Sequence, residues 1–145
     1  MIVRVIAASF AGALVFFLLG FVIYTFAVDP IMKGHMNQFQ GLMKEPMPSL
    51  GFLFAWNFMM SFLFAFIFEK WAGIRTFVGG IKAGFVLMLI IAVMTDLNYL
   101  AFMNVYKDFF APVIDVVAAT FLGTVACGVI GLVLGLMYKS AAAAE

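Results

Sequence analysis

The chain alternates long apolar runs with short polar breaks, and four runs are long enough to cross a bilayer: residues 5–28, 49–68, 76–103 and 112–138. A hydrocarbon core about 30 Å thick takes about 20 helical residues. Water is absent from that core, so a spanning backbone must satisfy its own amides, as a helix or as a closed barrel. The polar and apolar alternation of barrel strands does not occur in this sequence. The pattern therefore predicts an all-α transmembrane four-helix bundle, a single integral membrane domain over residues 1–145. The first run is read as a retained span, because it is too long for a leader's apolar region and lacks a small-x-small cleavage site.

The one long break, 29–48, has its own periodicity. Ile31, Met32, His35, Met36, Phe39, Leu42 and Met43 recur at three and four, while Lys33, Asn37, Gln40 and Lys44 largely take the other side. This predicts a short amphipathic surface helix over 31–43 in the first outer loop.

Small residues repeat every four positions along the spans. In the fourth they are Ala119, Gly123, Cys127, Gly131 and Gly135; in the third Gly80 and Gly84, continued by Ala92; in the first Ala8, Gly12 and Gly20. Such faces let helix backbones approach closely, as in small-xxx-small packing.

Composition sharpens the class. Hydrophobic residues make up 67% of the chain, against about 45–50% in globular proteins, so the excess must face lipid. Charged residues are 10% and the net charge is +1, which removes the electrostatic basis for binding nucleic acid. Arg4, Lys70, Arg75, Lys82 and Lys139 fall on one side of the predicted spans, and Lys33, Lys44 and Lys107 on the other. Positive residues resist translocation, so both termini are expected in the cytoplasm. Lys70 and Arg75, with Trp71 between them, suit interfacial anchors on that side.

Against this background Asp96 and Asp115 stand out, since a carboxylate in lipid costs roughly 2.5–3.5 kcal/mol on insertion scales. Each falls in line with its helix's small residues, so both are expected to face protein near the outer surface. Asn57, Asn98, Tyr99, Asn104, Tyr106 and Lys107 are candidate donors; of these Asn57, Asn98 and Tyr99 join the two acids as the candidate polar or ion site. Two acids sharing a poorly solvated site cannot both ionise cheaply. The pair is read as a proton or cation site, or as a clamp that fixes helix docking.

Other chemistries are mostly closed. Cys127 is the single cysteine, which excludes an internal disulfide and dithiol redox chemistry. His35 is the single histidine and lies outside the spans, so a bis-histidine haem between helices is excluded and no cofactor is expected. His35, Met32 and Met36, with Met43 and Met47 nearby, form a soft-ligand group suited to Cu(I); the same spacing serves the surface helix. No complete nucleophilic or zinc-hydrolase motif is present, so an enzyme is not expected.

The strings Gly80-Ile81-Lys82-Ala83-Gly84, Asp96-x-x-Tyr99, Val113-Ile114-Asp115 and Gly128-Val129-Ile130-Gly131 resemble a group of small four-span bacterial membrane proteins without an assigned reaction. The resemblance implies a bacterial inner-membrane location. Two functions are expected from the sequence. One is an accessory or assembly component that packs, on itself or on a larger membrane complex, through its Gly and Ala faces. The other is a proton- or cation-coupled carrier or channel using Asp96 and Asp115.

Overall fold

The computed structural model of the chain describes residues 1–41 and 48–142. Helix α1 (Ile2–Ile23) runs without a break through a π-helical turn at Tyr24–Val28 into the short α2 (Asp29–Met32). Pro30 stands in the first turn of α2. Its missing amide is one a continuous α-helix would need, and a local π adjustment is one way a spanning helix absorbs a proline. Helix α3 (Leu50–Ile67) likewise continues through a π turn at Phe68–Ala72, then stops at Gly73, whose φ of +61° is left-handed. Helix α4 (Phe77–Phe102) is capped by Thr76, whose Oγ1 accepts the Gly79 amide at 3.0 Å. Helix α5 (Phe110–Ala142) starts where Asp108 Oδ1 accepts the Phe110 amide at 3.0 Å.

Four apolar helices are thus long enough to span a membrane: Ile2–Met32 and Phe110–Ser140, each of 31 residues, Phe77–Phe102 of 26, and Leu50–Ala72 of 23. Each contains most of one expected span. All four carry outward apolar faces, such as Leu14 and Leu18, Trp56 and Met59, Ile90 and Met94, Val117 and Phe121. Water would penalise such a surface and lipid would not.

The packing order places α1 between α3 and α5, with α4 along the far side of α5. The α1–α3 seam is aromatic: the ring of Phe10 lies 5.1 Å from that of Phe58, and Phe17 lies 5.8 Å from Phe54. The α4–α5 seam is built from small residues. A methyl group added at Gly80 would strike the Cys127 carbonyl, one at Gly84 the Cys127 side chain, and one at Gly123 the Met88 side chain. Gly131 and Gly135 press on the backbone of Thr76 and Arg75, while Gly12 admits Ile130 and Gly20 faces Leu122. The small-residue faces expected from the sequence are therefore filled by the chain's own helices. Cys127 is fully buried among them.

The expected surface helix over 31–43 is a correction. Helical structure ends at Met32, turns follow through His35, and Met36 forms an antiparallel bridge with Tyr106. Asn37 N donates to Val105 O at 2.8 Å and Lys107 N to His35 O at 2.8 Å. Backbone pairing with the α4–α5 connection takes the Asn37 amide and the His35 carbonyl that a helix would have needed, and Gly34 is poorly suited to hold a helix there. Leu42, Met43, Lys44 and Met47 lie outside the described residues.

Candidate functional site

The α4–α5 seam follows one antiparallel register, with Gly84 against Cys127 and Met88 against Gly123. Two turns further, the same register brings Asp96 to Asp115. The two carboxyl groups come within hydrogen-bonding reach of each other. Such contact is favourable only with a proton or another cation between them.

Each acid also receives one tyrosine. Tyr24, at the π turn that ends α1, donates its hydroxyl to Asp115 Oδ1 at 2.8 Å. Tyr106, in the α4–α5 connection, donates to Asp96 Oδ1. Burial pushes the Tyr106 hydroxyl above its ordinary pKa, and the bond to Asp96 pushes it further, so it stays a donor. Asp96 is 3% exposed, and no N–H or hydroxyl among the described residues reaches its second oxygen, Oδ2, which leaves the contact with Asp115 to serve it. An acid so enclosed is costly unless that contact is completed by a proton or another cation.

The remaining candidates divide. Tyr99 touches the site indirectly, its ring 6.5 Å from that of Tyr106. Asn98 is exposed on α4. Asn57 is buried on the face of α3 that also buries Ser61, and no hydrogen bond joins it to either acid among the described residues. Asn104 accepts from Asn37 Nδ2 through its carbonyl at 2.8 Å, and Lys107 Nζ reaches Gly34 O at 3.2 Å, so both tie the loops together above the acids. Tyr24 was missed by sequence reasoning. Its signal is the pairing of a polar tip with an otherwise apolar span at the depth of the two acids.

No protein-family model, curated protein or solved structure matches this chain. The functional reading therefore rests on the site alone.

Above the acids, His35 Nδ1 meets Asp108 Oδ2 at 2.7 Å, and the His35 ring lies 4.7 Å from that of Phe110. The His35 contact holds the Asp108 carboxyl below its ordinary range. Of the candidate copper ligands, Met32 is buried in an apolar cluster with Val28 and Ala111, Met36 packs against that cluster, and His35 is engaged by Asp108.

On its outward side Asp96 borders a groove of about 260 Å³ between α4 and α5. Leu97 and Leu100 of α4 and Pro112, Val113 and Val116 of α5 are among its apolar walls. Asp96 is the single ionisable residue lining it.

The opposite end of the bundle holds a second polar centre that sequence reasoning also missed. Glu69 is buried, its side chain 2% exposed, and Arg4 Nη2 and Nε reach its Oε1 at 2.7 and 3.0 Å. Arg75 Nε approaches Oε2 at 3.3 Å, with its guanidinium 3.9 Å from the centre of the Tyr138 ring. The N-terminal end of α1, the α3–α4 connection and the C-terminal end of α5 thus meet at one end of the molecule. The signal was an acid at the edge of a span flanked by arginines at the same level.

Proposed function

We propose that this membrane protein is a small carrier or channel whose central group is the Asp96–Asp115 pair, binding a proton or a small cation near the outer surface. One observation carries the reading: two acids on facing helices meet inside an apolar bundle, where the contact needs a proton or another cation between them. On this reading the tyrosines hold the acids in place and the ion takes the position between the two carboxyl groups.

On this reading the protein sits in a bacterial inner membrane, as the sequence resemblance implies, with both termini in the cytoplasm, an orientation that the bias of Lys and Arg toward the Glu69 end supports. The accessory or assembly reading is motivated by how little of the chain extends beyond the spans. The small-residue faces no longer support it, because α1, α4 and α5 fill them internally. Its measure is native mass in mild detergent, where association or a co-purifying partner would favour it.

The deciding experiment is proton and monovalent-cation flux in proteoliposomes, comparing the intact chain with Asp96→Asn, Asp115→Asn and the double variant. Flux is expected to vanish in each. Normal helicity and monodispersity with unchanged flux would overturn the reading.

A further inference from the structure

The oxygens around the acid pair distinguish a proton from a metal ion. Of the four carboxyl oxygens, Asp115 Oδ1 and Asp96 Oδ1 each accept a tyrosine hydroxyl, which sets a positive hydrogen against the oxygen a metal ion would compete for. One oxygen then remains on each acid. Asp96 Oδ2 is closed to water, no N–H or hydroxyl among the described residues reaches it, and the Asp115 carboxyl is its neighbour. Two carboxyl oxygens in contact, with no donor from outside, form a hydrogen bond only if one of the acids brings the hydrogen.

No cationic side chain substitutes for it. The ion pairs among the described residues join Arg4 and Arg75 to Glu69 and His35 to Asp108, and Lys107 Nζ turns to the Gly34 carbonyl. A metal ion would be poorly served in the same place. Calcium takes about six to eight oxygens, magnesium keeps several of its waters, and potassium is stripped of water by rings of carbonyls. Here the neighbouring carbonyls belong to the ladders of α4 and α5, and no group of three among His, Cys, Asp and Glu gathers among the described residues. A proton asks for two oxygens within hydrogen-bonding reach and for no shell.

We infer that the ion of the Asp96–Asp115 pair is a proton and not a metal ion, carried as an O–H by one carboxyl and donated to the other. The inference rests on the reading of the pair as an ion site and names its ion. Uptake takes one proton from water and displaces nothing; release returns it to water. Tyr24 from α1 and Tyr106 from the α4–α5 connection are the other titratable groups that bond to the pair. Both are donors, so they hold the two Oδ1 atoms as acceptors and leave the shared proton to the remaining oxygens.

The test is infrared difference spectroscopy of the full chain in lipid at neutral pH, following the C=O stretch of a protonated carboxylic acid, which moves on exchange into D2O. The band is expected in the intact chain, unchanged by added Na+, K+ or Ca2+, shifted in Tyr24→Phe and absent from the double variant Asp96→Asn with Asp115→Asn. In proteoliposomes, flux driven by a pH gradient is expected to be the same whichever of these cations is present. Absence of the band overturns the inference, as does its loss when one of the cations is added. If the double variant fails to fold, Tyr24→Phe assigns the band, and a band that this change leaves in place belongs to another acid and defeats the inference. Flux that requires Na+, K+ or Ca2+ and still vanishes in the Asn variants defeats the inference alone. Flux that depends on neither acid defeats the reading of the site beneath it.

Discussion

Tyr24 and Tyr106 approach the acid pair from opposite parts of the chain, one from the first helix and one from the last connection, and each delivers a single hydroxyl. Removing the Tyr24 hydroxyl leaves Asp115 Oδ1 without its donor. Tyr24→Phe is expected to lower stability by about 1 kcal/mol, read as a lower midpoint in detergent-titrated unfolding. Tyr24→Phe combined with Asp115→Asn is expected to lose less than the sum of the two, because the second change removes the charge that the first one strands. At this scale the sequence disclosed the acids and their inward direction, since four-residue spacing from Gly84 and Ala119 fixes the face. Tyr106 was among its candidate donors, but it did not disclose Tyr24. A residue's depth can be counted along a helix, but the rotation of Tyr24 toward α5 is set by a π turn that periodicity of 3.6 cannot foresee.

The helix seams set the energetics at the next scale. Gly80→Ala places a methyl group on the Cys127 carbonyl, and backbone cannot swing aside as a side chain does. A loss of roughly 1–3 kcal/mol is expected, the usual cost of overpacking. Gly51→Ala, where a methyl group meets open space, should stay within about 0.5 kcal/mol of the parent. A detergent-unfolding series comparing the two separates a seam glycine from an ordinary one. At the other end, Glu69 is deeper than Arg4 or Arg75, whose side chains remain 23% and 33% exposed. Glu69→Gln frees arginines that can turn to water. Replacing Arg4 and Arg75 together by Gln strands a buried anion, so that double change should cost more, roughly 3 kcal/mol. The same unfolding assay checks the order.

The loops illustrate why element boundaries outran element identity. Spacing in 31–43 fits a helix, yet Met36 pairs with Tyr106 because the α4–α5 connection lies beside it, a neighbour the local pattern does not contain. Asp108 gives this junction a pH dependence. Its pKa is lowered in the folded chain, so its contribution is present above the ordinary carboxylate value of about 4 and is lost as pH falls through the lower folded value. Hydrogen-exchange protection at Asn37 and Lys107, whose amides bridge the loops, taken relative to the intrinsic rate at each pH, is expected to fall on acidification below about pH 4. In Asp108→Asn that acid-induced step should be smaller.

For the whole molecule, the arrangement puts the arginine-rich centre at one end and the acid pair at the other. A single cysteine introduced at Phe109 in a Cys127→Ala background should react with a membrane-impermeant maleimide from outside intact cells. One at Lys139 should react only after lysis, and the reverse pattern would invert the proposed orientation. Architecture at this scale was legible because lipid imposes a length and a polarity that any spanning helix must meet. The order of packing was less so, since α1 meets both α3 and α5 through faces that differ in kind, aromatic on one side and small on the other.

The spans also differ in reach. At about 1.5 Å per residue, the 31-residue helices measure roughly 46 Å and the 23-residue helix roughly 35 Å. Only the shorter matches a typical hydrocarbon slab, so the longer pair must lean or push its ends through the headgroups. Acyl-chain length then becomes a dial on the acid pair, which sits where those long helices emerge: thinner bilayers should wet it, and thicker ones should submerge it.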